Sequence, residues 1–186
     1  MILHARRVMK TYLTYGSAMA GGGFLIVIVL YVLGFHSDPA KLSTAQMIQG
    51  ILGLGIAITC IVLGTKAKRA TVPANENFGY GGALGAGVMI TLFGALIGIV
   101  TTLLYTGVIN PAMNDVAIQA QIAKWEAMNM PAARMEQAES MMRKMMSPPI
   151  QACFGFLGAM FFGTLISLVT AAFLKRPPAD ELAPVG

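Results

Sequence analysis

Four long stretches of this chain contain no acidic or basic side chain, and they constrain the fold more than any other feature. Asp, Glu, Lys, Arg and His are absent from residues 16–35, 42–65, 80–108 and 150–174. A helix of about 20 apolar residues crosses the roughly 30 Å hydrocarbon layer of a bilayer. The pattern therefore predicts four transmembrane helices, at about 16–35, 46–65, 81–108 and 150–174.

The composition points the same way. Hydrophobic residues make up 56% of the 186 residues and charged residues 11%, whereas soluble domains average about 45–50% and about 25%. A soluble core of this size cannot bury so much apolar surface, so a bilayer must take the remainder. We therefore expect a single all-α integral membrane domain over residues 1–186.

Most of the basic residues mark the ends of the apolar stretches. The net charge is +5, but the cations flank the predicted spans and do not form a groove for nucleic acid. Those at span ends are Arg6, Arg7, Lys10, Lys66, Lys68, Arg69, Lys175 and Arg176. With four crossings they all lie on one side, and the positive-inside rule makes that side, with both termini, cytoplasmic.

Residues 110–149 form one substantial polar insert, which this orientation places outside the cytoplasm. In its first half, Ile118, Ile122 and Trp125 recur on one helical face. Pro131 is suited to the first turn of a second helix, whose apolar stripe is Met135, Ala138, Met142 and Met145. The expected fold is two transmembrane helical hairpins, with an extracytoplasmic amphipathic helical insert between helices 3 and 4.

The apolar side of the insert has three interpretations. In the first interpretation, it lies against the outer ends of the bundle or in the headgroup layer. Alternatively it is a partner surface, because Met-rich faces adapt to varied apolar ligands; its candidate residues are Trp125, Met135, Met142 and Met145. The third interpretation is a Cu(I) site on the thioethers of Met141, Met142, Met145 and Met146. No Cys or His lies nearby to complete one, so we assign no metal site.

Small residues four apart predict where the spans pack on one another. Lipid provides no hydrophobic force between helices, so close backbone contact through small side chains must supply much of their association. Residues with this spacing share one helix face. The candidate packing residues are Gly81 with Gly85, Gly94 with Gly98, and Ala159 with Gly163.

The charge-free spans also exclude some classes of function. Intramembrane proton relays, metal sites and carboxylate chemistry need ionisable groups inside the bilayer. Thr59, Thr91 and Ser167 are present, but hydroxyls within a span usually bond to their own helix. We therefore predict no catalytic residue and no cofactor, and we do not expect an ion-coupled transporter or catalysis within the bilayer. An enzyme that acts at the membrane surface is not expected either, because Asp115, Glu126 and Glu139 lack an obvious partner His or nucleophile.

The chain resembles a bacterial family of four-span membrane proteins classed as domain of unknown function 4199. One matching element opens the third span with Glu76-Asn77-Phe78-Gly79-Tyr80-Gly81-Gly82-Ala83-Leu84. Another is the outer helical insert, and the last runs from Leu165 through Phe173-Leu174-Lys175-Arg176 to a Pro. The resemblance covers about Tyr12 to Arg176 and implies a topology and a bacterial inner membrane, but no activity and no functional residues.

Two hypotheses of different class follow. The first is a non-enzymatic inner-membrane accessory or assembly protein, which docks another membrane protein through the insert or the 76–82 segment. The alternative is a permease for small solutes or lipids that acts as a homo-oligomer, because four spans without ionisable residues enclose little on their own. Beyond the lipid bilayer, the expected partner is therefore a second membrane protein or another copy of this chain.

Overall fold

The computed structural model describes residues 2–73 and 76–176, with side chains from Arg6 onward. One π-helical segment and six α-helices account for most of them: α1 (Ile2–Val32), α2 (Leu42–Ala70), α3 (Tyr80–Leu104), the π-helical segment (Tyr105–Ile109), α4 (Met113–Ala127), α5 (Ala132–Met145) and α6 (Pro148–Leu174). Within these residues no strand forms, and a single isolated bridge joins Phe78 to Arg176. The predicted all-α class is confirmed.

Four of the helical stretches are long and apolar enough to cross a membrane. They are Arg6–Val32, Leu42–Ala70, Tyr80–Ile109 and Pro148–Leu174. Their outward faces expose large apolar side chains, such as those of Leu25, Ile51, Val100 and Phe161, which are favourable only where lipid replaces water. The structure thus contains four helices long and apolar enough to span a membrane, one over each of the four apolar stretches of the sequence.

Two helices end at a residue with positive φ. Gly34 has φ 77° and Asn129 has φ 54°, which are the residue types that adopt this conformation most readily. The Phe35 N–H donates to the Leu30 carbonyl over 2.9 Å, and the Met130 N–H donates to the Trp125 carbonyl over 3.0 Å. These 6→1 bonds are those of the Schellman motif, so each helix ends before the Pro that follows it in the sequence.

Helix α3 lies at the centre of the bundle, in contact with α1, α2 and α6. Gly22 packs on Ile56 and Gly64 packs on Tyr15, so α1 and α2 run antiparallel. The α3–α6 pair is antiparallel as well, because the α3 residues 87 and 91 lie against the α6 residues 167 and 163. α6 packs against α3 and α2, with α3 between it and most of α1.

The α3–α6 contact is built from two Gly–hydroxyl pairs that face each other. Gly87 packs on the Ser167 side chain, and Gly163 packs on the Thr91 side chain. The Thr91 hydroxyl donates to the Gly87 carbonyl over 3.0 Å, and the Ser167 hydroxyl donates to the Gly163 carbonyl over 2.6 Å. Each hydroxyl is therefore satisfied within its own helix while its carbon atoms fill the space beside the opposite glycine.

The predicted packing residues divide into two groups. A Cβ on Gly94 would meet Met19 and the Gly16 carbonyl, and a Cβ on Gly163 would meet Thr91; Ala159 is half-buried. In contrast, a Cβ would meet no neighbouring atom within 4 Å at three of the glycines: Gly81, Gly85 and Gly98. These three belong to outward faces of the bundle, which are open to lipid or to another protein.

Candidate functional site

Helices α4 and α5 form an antiparallel hairpin that polar contacts hold together. The Asn114 amide donates to the Met146 carbonyl over 2.9 Å. The Arg143 guanidinium donates to Asp115 and to Glu139, each over 2.9 Å. The same Asn114 accepts a 3.0 Å bond from Gln151 on α6, so the base of this α4–α5 hairpin is tied to the start of the fourth span.

The two helices of the α4–α5 hairpin differ in burial. On α4, Ile118 of the predicted apolar face is 2% exposed and Ala117 is also buried, whereas Ile122 and Trp125 of that face are half-buried. α4 contacts the spans through α2. On α5, no residue is buried. The hairpin therefore rests on the bundle through α4, while α5 lies on its outer side.

The candidate partner residues lie on this exposed part of the molecule. Met145 is 50% exposed, and Trp125, Met135 and Met142 are half-buried. Two further Met side chains add to the surface, since Met141 is 60% exposed and Met128 is 64% exposed. An open groove of about 490 Å³ runs beside Met141 along α5, lined also by Ala133, Glu136, Gln137, Ser140 and Lys144.

A buried polar cluster lies where the hairpin leaves the bundle, and sequence reasoning missed it. His36, which follows α1, is 2% exposed, and Tyr105 and Asn110 are each 6% exposed. The Asn110 amide donates to the Tyr105 hydroxyl over 3.1 Å, and that hydroxyl bonds the His36 Nδ1. Tyr31 packs edge-on against Tyr105, with 6.0 Å between ring centroids.

The atoms of the cluster fit a directed chain of hydrogen bonds. Burial lowers the pKa of His36 below its ordinary value, so the imidazole is neutral at pH 7 and its Nδ1 can accept. The hydrogen bonds then run from Asn110 to Tyr105 and from Tyr105 to His36. A protonated His36 would instead donate from Nδ1, and the Tyr105 proton would need another acceptor.

The π-helical segment places Tyr105 in this cluster. Its last bond joins the Asn110 N–H to the Tyr105 carbonyl over 2.7 Å, an i→i−5 bond. The wider turn sets Asn110 beside the ring five positions earlier, and π-turns of this kind are frequent at functional sites. Neither the 3.6-residue period nor a local motif signals a contact between residues 36 and 105, so only the rare His beside a charge-free span could have drawn attention to it.

A second structured region lies at the other end of the spans, around Arg176. Its Nη2 is within bonding distance of the carbonyls of Val72, Pro73 and Glu76, at 3.3, 2.6 and 2.9 Å. The Arg176 N–H donates to the Phe78 carbonyl over 2.8 Å. The end of α6 thereby holds the connector between α2 and α3, and we call this contact the Arg176 clasp.

The clasp is completed by apolar packing and by one hydroxyl. Phe78 is buried against Ala83 and Ala171, with Val72 and Leu84 at the edge of the cluster. The Tyr80 hydroxyl donates to the Leu168 carbonyl over 3.2 Å. The two segments that carry the family resemblance, 76–84 and 165–176, are therefore in direct contact although about ninety residues separate them.

The described part of the chain contains no group of three His, Cys, Asp or Glu side chains placed to hold a metal ion. The surface of the α4–α5 hairpin offers apolar and adaptable contact area. The end of the spans that carries the Arg176 clasp offers positive charge.

The chain belongs to the family described as Protein of unknown function (DUF4199), whose model matches residues 14–176. This match confirms the resemblance inferred from the 76–84 and 165–176 segments. No curated protein and no solved structure matches the chain.

Proposed function

We propose that this protein is a non-enzymatic, multi-pass accessory or assembly protein of the bacterial inner membrane, and that its α4–α5 hairpin docks a second membrane protein. The observation that carries this proposal is α5, a helix with no buried residue that presents Met141 and Met145 to its surroundings, 60% and 50% exposed. Burying such a side chain from full exposure contributes about 1.5–3 kcal/mol. The chain itself leaves half or more of each of these two side chains exposed, and a partner could bury that remainder.

The surface fits a partner that is itself amphipathic. Met side chains are flexible and polarizable, so they pack against apolar surfaces of varied shape. Charged residues border the stripe, among them Arg134, Glu136 and Lys144, and rim charges of both signs favour orientation and association rate. The partner expected is an extracytoplasmic helix or loop of another membrane protein, with an apolar centre and a charged border.

The proposed topology is two transmembrane hairpins with both termini in the cytoplasm and the α4–α5 hairpin outside. The charge distribution supports it, because eight cations lie at the span ends placed in the cytoplasm, whereas Lys41 and the four cations of the α4–α5 hairpin make five on the other side. A cysteine at Ala133, in a background with Cys60 and Cys153 replaced by Ala, should react with a membrane-impermeant thiol reagent on intact spheroplasts. Labelling that requires lysis would reverse the orientation.

A homo-oligomeric permease remains the second candidate, and one observation favours it. A Cβ would meet no neighbouring atom within 4 Å at Gly81, Gly85 or Gly98. The helix faces that carry these glycines are therefore free to pack against another copy of the chain. The central position of α3 argues against a solute path through one copy. Any such path would have to run between copies.

Photo-crosslinking tests the docking role directly. A photoreactive residue at Met145 should yield a stoichiometric adduct with a heterologous membrane protein, whereas the same residue at Ser43, in the first turn of α2, should not. The Met141→Ser/Met145→Ser variant should lose the adduct and keep its melting temperature, because both side chains are already exposed. Adducts with this chain alone would support the permease, and adducts with lipid alone would place the hairpin in the headgroup layer.

A further inference from the structure

The Arg176 clasp borders an open cleft whose lining is strongly basic. The cleft has a volume of about 620 Å³ and is lined by Lys66, Arg69, Ala70, Thr71, Val72, Pro73 and Arg176. It lies between the end of α2, the connector that follows it and the end of α6. Three of its seven lining residues are therefore cations, and they come from segments more than a hundred residues apart in the chain.

No carboxylate among the described residues neutralises these cations. The ion pairs among the described residues are Lys41 with Asp38, and Arg143 with Asp115 and Glu139, and all of them lie at the opposite end of the spans. Glu76 is close, but the bond that Arg176 makes is to its backbone carbonyl. Like charges brought together without a counter-charge raise the energy of the site, and a bound anion would lower it.

The ends of α2 and α6 offset only part of this charge. A helix C-terminus carries roughly −0.5 of an elementary charge, so two helix ends contribute about −1. Among the described residues, these segments contain one carboxylate, that of Glu76, and five cations: Lys66, Lys68, Arg69, Lys175 and Arg176. The helix ends and the carbonyls of the clasp thus account for the position of Arg176, but they leave a large positive excess.

The Arg176 guanidinium is also held in place before any ligand arrives. One of its nitrogens, Nη2, lies within bonding distance of the carbonyls of Val72, Pro73 and Glu76, and its Nε is buried without a partner. The remaining nitrogen, Nη1, is thereby held in a fixed position from which it can donate to a phosphate oxygen. Preorganisation of this kind removes much of the entropic cost of binding.

The surroundings of the cleft favour a lipid. Leu63 lies one turn before Lys66 on the same helix face, and Phe173 lies three residues before Arg176; they are 47% and 82% exposed. Each segment that supplies cations to the cleft therefore also carries an exposed apolar side chain on its span side, where the acyl chains of a bound lipid would lie. Basic pockets at the ends of membrane spans bind anionic lipid headgroups in this arrangement.

We propose that this cleft binds the phosphate of an anionic phospholipid, with Lys66, Arg69 and Arg176 around the phosphate and the acyl chains along Leu63 and Phe173. The proposal is independent of the docking role, since the site lies at the other end of the molecule from the α4–α5 hairpin. It gives the Arg176 clasp a second purpose, because the bound lipid would hold the ends of α2 and α6 together.

Native mass spectrometry of the full chain in detergent, titrated with phosphatidylglycerol and with phosphatidylcholine, tests the site. The Lys66→Gln/Arg69→Gln variant keeps the Arg176 clasp, so it should fold and melt as the unsubstituted protein does. Each cation near a membrane surface strengthens binding by about fivefold, so this variant should bind phosphatidylglycerol about 25-fold more weakly.

The matched control removes two cations from the α4–α5 hairpin, as Lys124→Gln/Arg134→Gln, and its affinity for phosphatidylglycerol should not change. Equal weakening in both variants would show that net charge alone matters and would overturn the site. So would equal binding of phosphatidylcholine and phosphatidylglycerol. If inorganic phosphate binds the unsubstituted protein as tightly as phosphatidylglycerol, a free anion is the ligand and the lipid assignment is wrong.

Discussion

The α3–α6 pair and the α4–α5 hairpin are both antiparallel helix pairs, but different interactions hold each pair together. The first pair meets through Gly87, Thr91, Gly163 and Ser167, with each hydroxyl bonded inside its own helix. The second is joined by an exposed Arg143 and by an Asn114 side chain. Close packing of complementary surfaces holds the α3–α6 pair together, whereas polar bonds that compete with water hold the α4–α5 hairpin together.

The difference follows from the solvent of each pair. In lipid, close packing between helices replaces the hydrophobic effect as the main source of association. In water, exposed ion pairs add little, and an apolar stripe that faces no partner adds nothing. We therefore expect the α3–α6 contact to control global stability and the hairpin to control what the protein binds.

The largest expected effect is at Gly163, where any Cβ would meet Thr91. Gly163→Ala should destabilise the bundle by about 1–3 kcal/mol, the usual cost of overpacking. Gly98→Ala is the matched control, because a Cβ there has no neighbour within 4 Å, and it should be neutral. Thermal unfolding in detergent measures both, and equal melting temperatures would contradict the role given to the Gly–hydroxyl contact.

A smaller loss is expected when the Tyr105 hydroxyl is removed. Tyr105→Phe leaves the His36 Nδ1 and the Asn110 amide without their buried partner, which should cost about 2 kcal/mol. Tyr31→Phe keeps the edge-on ring contact and removes a hydroxyl outside this chain of bonds, so it should be nearly neutral. A Tyr105→Phe variant as stable as Tyr31→Phe would show that the cluster contributes only through packing.

The pH dependence of stability should be smaller again. Burial lowers the pKa of His36 in the folded state, so near and below pH 6.5 the unfolded chain binds more protons than the folded protein. Stability should therefore be at its full value above about pH 6.5 and fall as the pH drops from there towards the folded pKa, by at most about 1.4 kcal/mol per pH unit.

His36→Gln is the control for that pH dependence. It removes the titrating group and keeps a side chain able to accept from Tyr105, so its melting temperature should vary less between pH 7 and pH 5. If both proteins lose stability in parallel over that range, other groups are responsible.

The smallest effect is expected in the hairpin itself. Arg143→Gln removes both exposed ion pairs, and global melting should not change measurably. What should change is local opening, seen as faster protease cleavage near Asn129, where α4 gives way to α5. Slower hydrogen exchange in α5 of this variant would contradict the view that Arg143 joins the two helices.

Much of the fold was predictable from local patterns. The charge-free stretches identify the four candidate spans, and the 3.6-residue period of Ile118, Ile122 and Trp125 identifies an apolar face of α4, of which Ile118 is buried. The exact ends were harder to predict, because α1 and α4 end at positive-φ residues, Gly34 and Asn129, that the apolar pattern does not mark. Whether a glycine packs or faces lipid was not predictable, since Gly94 and Gly98 have the same spacing pattern but opposite surroundings.

What the sequence by itself determined is the kind of molecule: apolar length sets the number of spans, and the position of charge sets their expected orientation. The tertiary structure decided which residues meet. It brings His36 to Tyr105, Arg176 to the connector after α2, and three cations to one cleft, and each contact joins segments far apart in the chain. Periodicity records the face of a helix, but the neighbour of that face depends on how all the helices pack together.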